Sequence, residues 1–159
     1  MTRYAVISAD GHAGPPAEIY REYLDPGFRD RFDEHQRAME ELRAAMGRST
    51  PSDFQQEWEA ETGGDGGLTA AYESAARNAI LDEEGVAAEV LFPDADVLGT
   101  GRVASSPFGT GLAGASDNVE EAVAGSRAHN RWLADFVREE PTRRIGIAVV
   151  PAIIPDMDT

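Results

Sequence analysis

The chain has 159 residues, with 29 acidic side chains against 14 basic ones, and its formal charge is −15. This charge argues against binding to nucleic acid or to an anionic membrane surface through bulk electrostatics. Because cysteine is absent, disulfides and thiolate metal sites are excluded.

The composition also bears on the location of the protein. No apolar run approaches the roughly 18 residues of a membrane-spanning helix, and the N-terminus lacks the charged-then-apolar pattern of a secretory signal. The sequence therefore predicts a cytoplasmic protein without a membrane partner or a nucleic-acid partner.

The first predicted element is a short apolar strand at about residues 3–8, and Gly14 with the two prolines after it prevents a long continuation. Asp10 and His12 follow this strand. In extended chain, side chains at i and i+2 leave the same face with Cα atoms roughly 6.6 Å apart, so a carboxylate and an imidazole can converge on one ion. Such a mixture of oxygen and nitrogen suits zinc, manganese or iron. The plainer interpretation is a strand that ends in water, because Asp-Gly is also a turn dipeptide.

Residues 28–46 carry apolar side chains at spacings of three and four, which predicts one amphipathic helix. His35 lies on the apolar stripe, where a packed or half-buried histidine is commoner than a metal or catalytic one. Residues 47–68 are rich in glycine, serine and acidic residues, which predicts turns. Because no strand precedes the glycines of residues 63–67, a phosphate-binding loop is disfavoured there.

A second helix is predicted at residues 70–84, with Gly85 just past its end. It leads into a nearly continuous apolar run at residues 86–92, which is typical of a strand covered on both faces, and Pro93 closes the run. Glu89 interrupts this run. It either lies inside a barrel of strands with a partner or faces the end of a neighbouring helix.

Asp94 and Asp96 follow this strand, in a loop that extends to about residue 116. Barrel enzymes place catalytic groups at this end of a strand, but Pro-Asp-Ala-Asp is also ordinary solvated turn chemistry. Loops of this length are usually functional or disordered. Arg102 in the loop is a candidate for bidentate binding of a substrate carboxylate, although a lone loop arginine is normally just exposed.

The last helix is predicted near residues 118–139, where Asp117 is a suitable N-cap and Pro141 terminates the pattern. His129 lies on its packed stripe, which favours a structural histidine over a ligand. An apolar third strand follows at residues 144–150. Doubly covered strands that alternate with helices predict right-handed parallel βαβ units.

Four blocks of the sequence occur in the order in which one enzyme family has them. They are ISADGHAGPP at residues 7–16, YREYLDP at 20–26, LDEEGVAAEVLFP at 81–93, and AHNRWLADF at 128–136 leading into RIGIAVVP at 144–151. Through them the chain resembles, nearly end to end, the N-terminal part of the amidohydrolase-related metalloenzymes. This family of hydrolases and non-oxidative decarboxylases includes aminocarboxymuconate-semialdehyde decarboxylase.

The resemblance implies a (β/α)8 TIM barrel, a fold of about 250 residues. Residues 1–159 are then expected to be the N-terminal part of a single barrel domain, with its first three strands and a helical insertion at about residues 27–68.

The resemblance also implies that Asp10 and His12 bind one divalent metal ion, which is zinc, manganese or iron. Many relatives have histidine where this chain has Asp10. A further histidine, the catalytic histidine and an aspartate are expected beyond residue 159. The implied reaction is hydrolysis or decarboxylation of a small carboxylate-bearing molecule, and the residues present do not separate the two.

The alternative is a non-catalytic α/β fragment or module that works by association. It is supported by the placement of His35 and His129 on helix faces, which leaves no third protein ligand identified. A homo-oligomer is compatible with either interpretation. Metal content separates the two, because the full-length enzyme should hold near one divalent ion per chain and the fragment far less.

Overall fold

A three-stranded sheet organises the protein in its computed structural model, which describes residues 4–45, 68–93 and 119–150. The strands are β1 (Val6–Ala13), β2 (Val86–Pro93) and β3 (Arg144–Gly146). Their order is β1-β2-β3, and both neighbouring pairs are parallel. The expectation of one parallel sheet is therefore confirmed, and the described residues form a mixed α/β fold.

Helices precede and connect these strands. They are α1 (Ala17–Tyr23), α2 (Arg29–Ala45), α3 (Ser74–Glu83) and α4 (Val119–Glu139). Short 3-10 turns, Pro26–Phe28 and Leu68–Ala71, lie before α2 and α3. Gly85 follows α3 with a φ of 70°, a left-handed conformation that glycine adopts without steric cost, so the predicted end of this helix is confirmed.

Some boundaries differ from the sequence-based expectation. β1 runs through the Asp10/His12 pair because its pairing with β2 resumes at Gly11, after an irregularity in the ladder. The second predicted helix begins only at Ser74, because the residues before it form the 3-10 turn. α1 has no counterpart in the expectation.

β3 is shorter than the apolar run predicts. Its pairing with β2 ends with a hydrogen bond of 2.9 Å from the Ile147 N–H to the Leu91 carbonyl oxygen. Beyond this point the backbone binds a helix side chain instead, because the Asn130 amide of α4 both donates to Val149 O, at 2.9 Å, and accepts from Val149 N, at 2.8 Å.

α4 covers one side of the sheet. Ala13 of β1 and Leu91 of β2 are fully buried against Trp132, Leu133 and Phe136 of this helix. Burying one leucine-sized side chain stabilises the fold by roughly 1.5–3 kcal/mol, so the cluster attaches the helix firmly to the sheet. It also fixes which side of each strand faces the helices.

A second cluster joins α1, α2 and α4. Its buried members are Tyr20, Leu24, Phe32, Ala124 and Ala128. The Tyr20 ring stacks on the Phe32 ring with centroids 5.9 Å apart, and its hydroxyl donates to the Gly125 carbonyl oxygen. Burial raises the pKa of this hydroxyl, so Tyr20 remains a neutral hydrogen-bond donor.

The other side of the sheet carries exposed apolar side chains. Ile145, which alternates with the helix-facing Arg144 and Gly146, is 62% exposed, and Ile7 of β1 is 61% exposed. Among the residues that the structure describes, no helix is both long enough and apolar enough to cross a membrane.

Candidate metal centre

Asp10 and His12 lie on the same side of β1, the side that faces away from α4. Their neighbours Gly11 and Ala13 point toward the helices, and side chains alternate along a strand. The Asp10 Oδ1 and His12 Nε2 atoms are 3.7 Å apart. The sequence spacing and the structure therefore agree that the two side chains converge.

A backbone carbonyl orients the imidazole of His12. The His12 Nδ1 atom is 3.1 Å from the Pro93 carbonyl oxygen at the end of β2. A carbonyl oxygen only accepts, so Nδ1 carries the proton in this hydrogen bond, and the lone pair of a neutral ring lies on Nε2. Nε2 is the atom nearest Asp10. Metal-binding histidines in proteins commonly have their second ring nitrogen bound in this way.

The two donor atoms fit one divalent ion. Two ligands about 2.1 Å from a tetrahedral ion lie about 3.4 Å apart, close to the observed separation. The side chains are 92% exposed at Asp10 and 47% exposed at His12, so an ion can reach both. Over the described residues, no group of three or more His, Cys, Asp or Glu side chains is placed to hold an ion. The pair thus accounts for two ligands of a site.

A buried ion pair lies directly behind Gly11. A Cβ atom there would be 3.1 Å from Arg77 Nη2 and 3.2 Å from Glu89 Oε2. A side chain at position 11, between the two candidate ligands, would therefore crowd this ion pair. Asp10 and Gly11 lie within β1, so they do not form a turn, but the exposure of Asp10 agrees with the plainer interpretation that this end of the strand faces water.

Glu89 is enclosed between the sheet and the helices, with 1% of its side chain exposed. It accepts from Arg77 of α3 through both oxygens, and Arg144 of β3 is 3.6 Å away. Glu89 therefore has the expected partner, but its expected position is wrong. It lies with Leu91 on the helix-covered side of the sheet and not on the side that carries His12, which would face the inside of a barrel. Burial is the main reason that the pKa of Arg144 is lowered, and the nearby Glu89 carboxylate opposes this shift.

His129 and His35 differ in how deeply they are buried. His129 is 3% exposed, with its ring 5.7 Å from the Trp132 ring, and burial lowers its pKa from 6.5 to about 4. The packed interpretation of His129 is confirmed. His35 is exposed on α2, so it lies on a helix face as expected but is not packed in the core.

Arg102, Asp94 and Asp96 lie outside the described residues. The sequence analysis singled out Glu89 but missed its partner Arg77, although an acidic residue in an apolar strand is a signal for a buried cation nearby. Comparisons with family models, with curated proteins and with solved structures find no match to this chain. Function is therefore inferred from the Asp10/His12 pair and its surroundings.

Proposed function

We propose that this chain belongs to a divalent-metal-dependent hydrolase or non-oxidative decarboxylase of the amidohydrolase superfamily, with Asp10 and His12 as metal ligands. The observation that carries the proposal is the 3.7 Å separation of Asp10 Oδ1 and His12 Nε2 at the carboxyl end of a parallel strand. Parallel α/β enzymes place their chemistry at this end of the strands. Three parallel strands are compatible with the first three of a (β/α)8 barrel, which is part of the proposal.

The chain's own groups have defined tasks in this proposal. His12 binds through Nε2, because Nδ1 donates its proton to Pro93 O, and Asp10 adds a negatively charged oxygen. Zinc, manganese or iron at such a site polarises a carbonyl or carboxylate and lowers the pKa of bound water. Arg102 is proposed to bind the carboxylate of a small substrate.

Metal binding by the purified chain tests the proposal. Because Asp10 and His12 supply two ligands, we expect zinc, manganese or iron(II), titrated into metal-free protein, to bind only weakly at this pair, with an affinity that falls further, by about tenfold or more, in Asp10→Asn and in His12→Gln. His35→Gln is the matched control, because it removes an exposed histidine from α2. Unchanged affinity in both site variants would exclude Asp10 and His12 as ligands.

A second candidate function is association without catalysis, for which the exposed apolar side chains on β1 and β3 are the favouring observation. Ile7 and Ile145 are each more than half exposed. Exposed apolar side chains that share one face of a sheet are a feature of interaction sites in soluble proteins. Sedimentation velocity at increasing concentration should then give a self-association that Ile145→Ser weakens and His12→Gln does not.

A further inference from the structure

The Arg77 guanidinium connects the candidate ligand strand to β2 and α3. Its Nε and Nη2 atoms donate to the Glu89 carboxylate at distances of 2.7–2.9 Å. Its Nη1 atom donates to the carbonyl oxygen of His12 at 2.8 Å and to that of Ala70 at 3.2 Å. The same side chain thus binds a buried carboxylate and the backbone of a proposed metal ligand.

This connection is rigid because it is buried and held from both sides. The side chains of Arg77 and Glu89 are 13% and 1% exposed. On the far side of Glu89, Arg144 donates to Ser74 Oγ and Asn78 Oδ1, each at 2.8 Å, and both acceptors belong to α3. A bidentate guanidinium in a poorly solvated place has little freedom to change its geometry.

β1 needs such an anchor at this point. The ladder between β1 and β2 is irregular between Ser8 and Gly11, so Asp10 lies in the interrupted stretch. Pairing resumes just before His12, which is opposite Phe92. A hydrogen bond to the His12 carbonyl therefore fixes the backbone where the strand returns to register, and with it the distance from the imidazole to Pro93 O.

We infer that Arg77, clamped by Glu89, is a positioning residue that holds His12 in the orientation required for metal binding. The functional meaning of this inference rests on the proposed metal site. The positioning itself is a property of the metal-free chain. Outer groups that orient metal-binding histidines typically change metal affinity by about 10- to 100-fold when they are removed.

The test is the double variant Arg77→Met/Glu89→Gln in the 159-residue chain. It removes the cation together with its buried carboxylate partner, and the glutamine keeps an acceptor facing Arg144. Arg77→Lys is a milder second variant, because it keeps the charge beside Glu89 but loses the planar fork that reaches two carbonyl groups as well.

The chain offers a matched control. Arg143 also pairs with a carboxylate, Asp82 at 2.8 Å, and also donates to backbone carbonyls of β2, at Val86 (2.8 Å) and Ala87 (3.3 Å). Arg143→Met/Asp82→Asn removes a link of the same kind at the opposite end of β2, away from His12, although Asp82 is 71% exposed where Glu89 is buried.

Two readouts decide the inference, with circular dichroism and urea unfolding to establish that each variant is folded. Nitrogen-15 NMR of the His12 ring in metal-free protein should show a proton on Nδ1 in the native chain and in the control. Both Arg77 variants should show a mixture of tautomers. Zinc affinity, measured by competition with a chromophoric chelator, should fall by about tenfold or more in the double variant and change by less than about twofold in the control.

Folded Arg77 variants that keep the native tautomer and the native zinc affinity would overturn the inference. An equal loss in the Arg143/Asp82 control would also overturn it, because the effect would then be one of general stability. If the native chain binds no zinc through Asp10 and His12, the proposed function fails. The tautomer of His12 then decides the positioning role by itself.

Discussion

His129 lies on the buried face of α4 and should make the free energy of unfolding depend on pH. Its side chain is buried beside Trp132, and its Nε2 atom has no hydrogen-bond partner among the described residues. Burial disfavours the imidazolium, so the pKa of His129 falls from 6.5 to about 4 in the folded chain. In the unfolded chain the ring is hydrated and titrates near its ordinary pKa.

The sign of the pH effect follows from this difference. As the pH falls below about 6.5, the unfolded state binds a proton at His129 before the folded state does. The free energy of unfolding therefore decreases through the window from about pH 6.5 to about pH 4, while the full contribution is present at higher pH. Between about pH 7.5 and about pH 4.5 the loss from this one group is about 2–3 kcal/mol.

Urea unfolding of the native chain and of His129→Gln at both pH values measures this contribution. The variant is less stable overall, but it should lose about 2–3 kcal/mol less than the native chain when the pH is lowered, because glutamine does not titrate. His35→Gln is the matched control, because it removes an exposed histidine from α2. If His129→Gln and the native chain show the same pH dependence, His129 is not titrating from a buried neutral state.

Further predictions concern packing and buried polar groups, all measured by urea unfolding near neutral pH. Gly11→Ala should destabilise the fold by about 1–3 kcal/mol, because the new Cβ meets the ion pair behind β1, whereas Gly27→Ala should be nearly neutral, since nothing lies within 4 Å of a Cβ there. Tyr20→Phe should cost about 1 kcal/mol through the loss of a buried hydrogen bond; an unchanged midpoint would contradict the role of that hydroxyl. Glu89→Leu alone should cost about 3–5 kcal/mol because it leaves two buried arginines without their carboxylate, and a cost below about 1 kcal/mol would show that the pair is solvated.

Local sequence patterns are sufficient to predict most of the described elements. The strand at residues 86–92 and the helix near residues 118–139 agree with β2 and α4 within a residue or two, because an apolar run and a helical periodicity are properties of neighbouring residues. The convergence of Asp10 and His12 follows from the two-residue repeat of a strand in the same way. α1 was detectable by this logic, since Ile19, Tyr20 and Tyr23 recur at helical spacing.

The sequence alone determined most of the elements, the apolar stripe on each predicted helix, and that an acid and a histidine leave β1 on one side. Only the tertiary structure decided what covers each face. The stripe of α4 packs and buries His129, whereas His35 on the similar stripe of α2 is exposed. Glu89 pairs with Arg77 of α3, and Gly11 leaves room for that pair. Both contacts depend on how separate elements pack against one another. The periodicity of apolar residues specifies the direction in which a side chain points. Long-range packing sets which residue that side chain contacts.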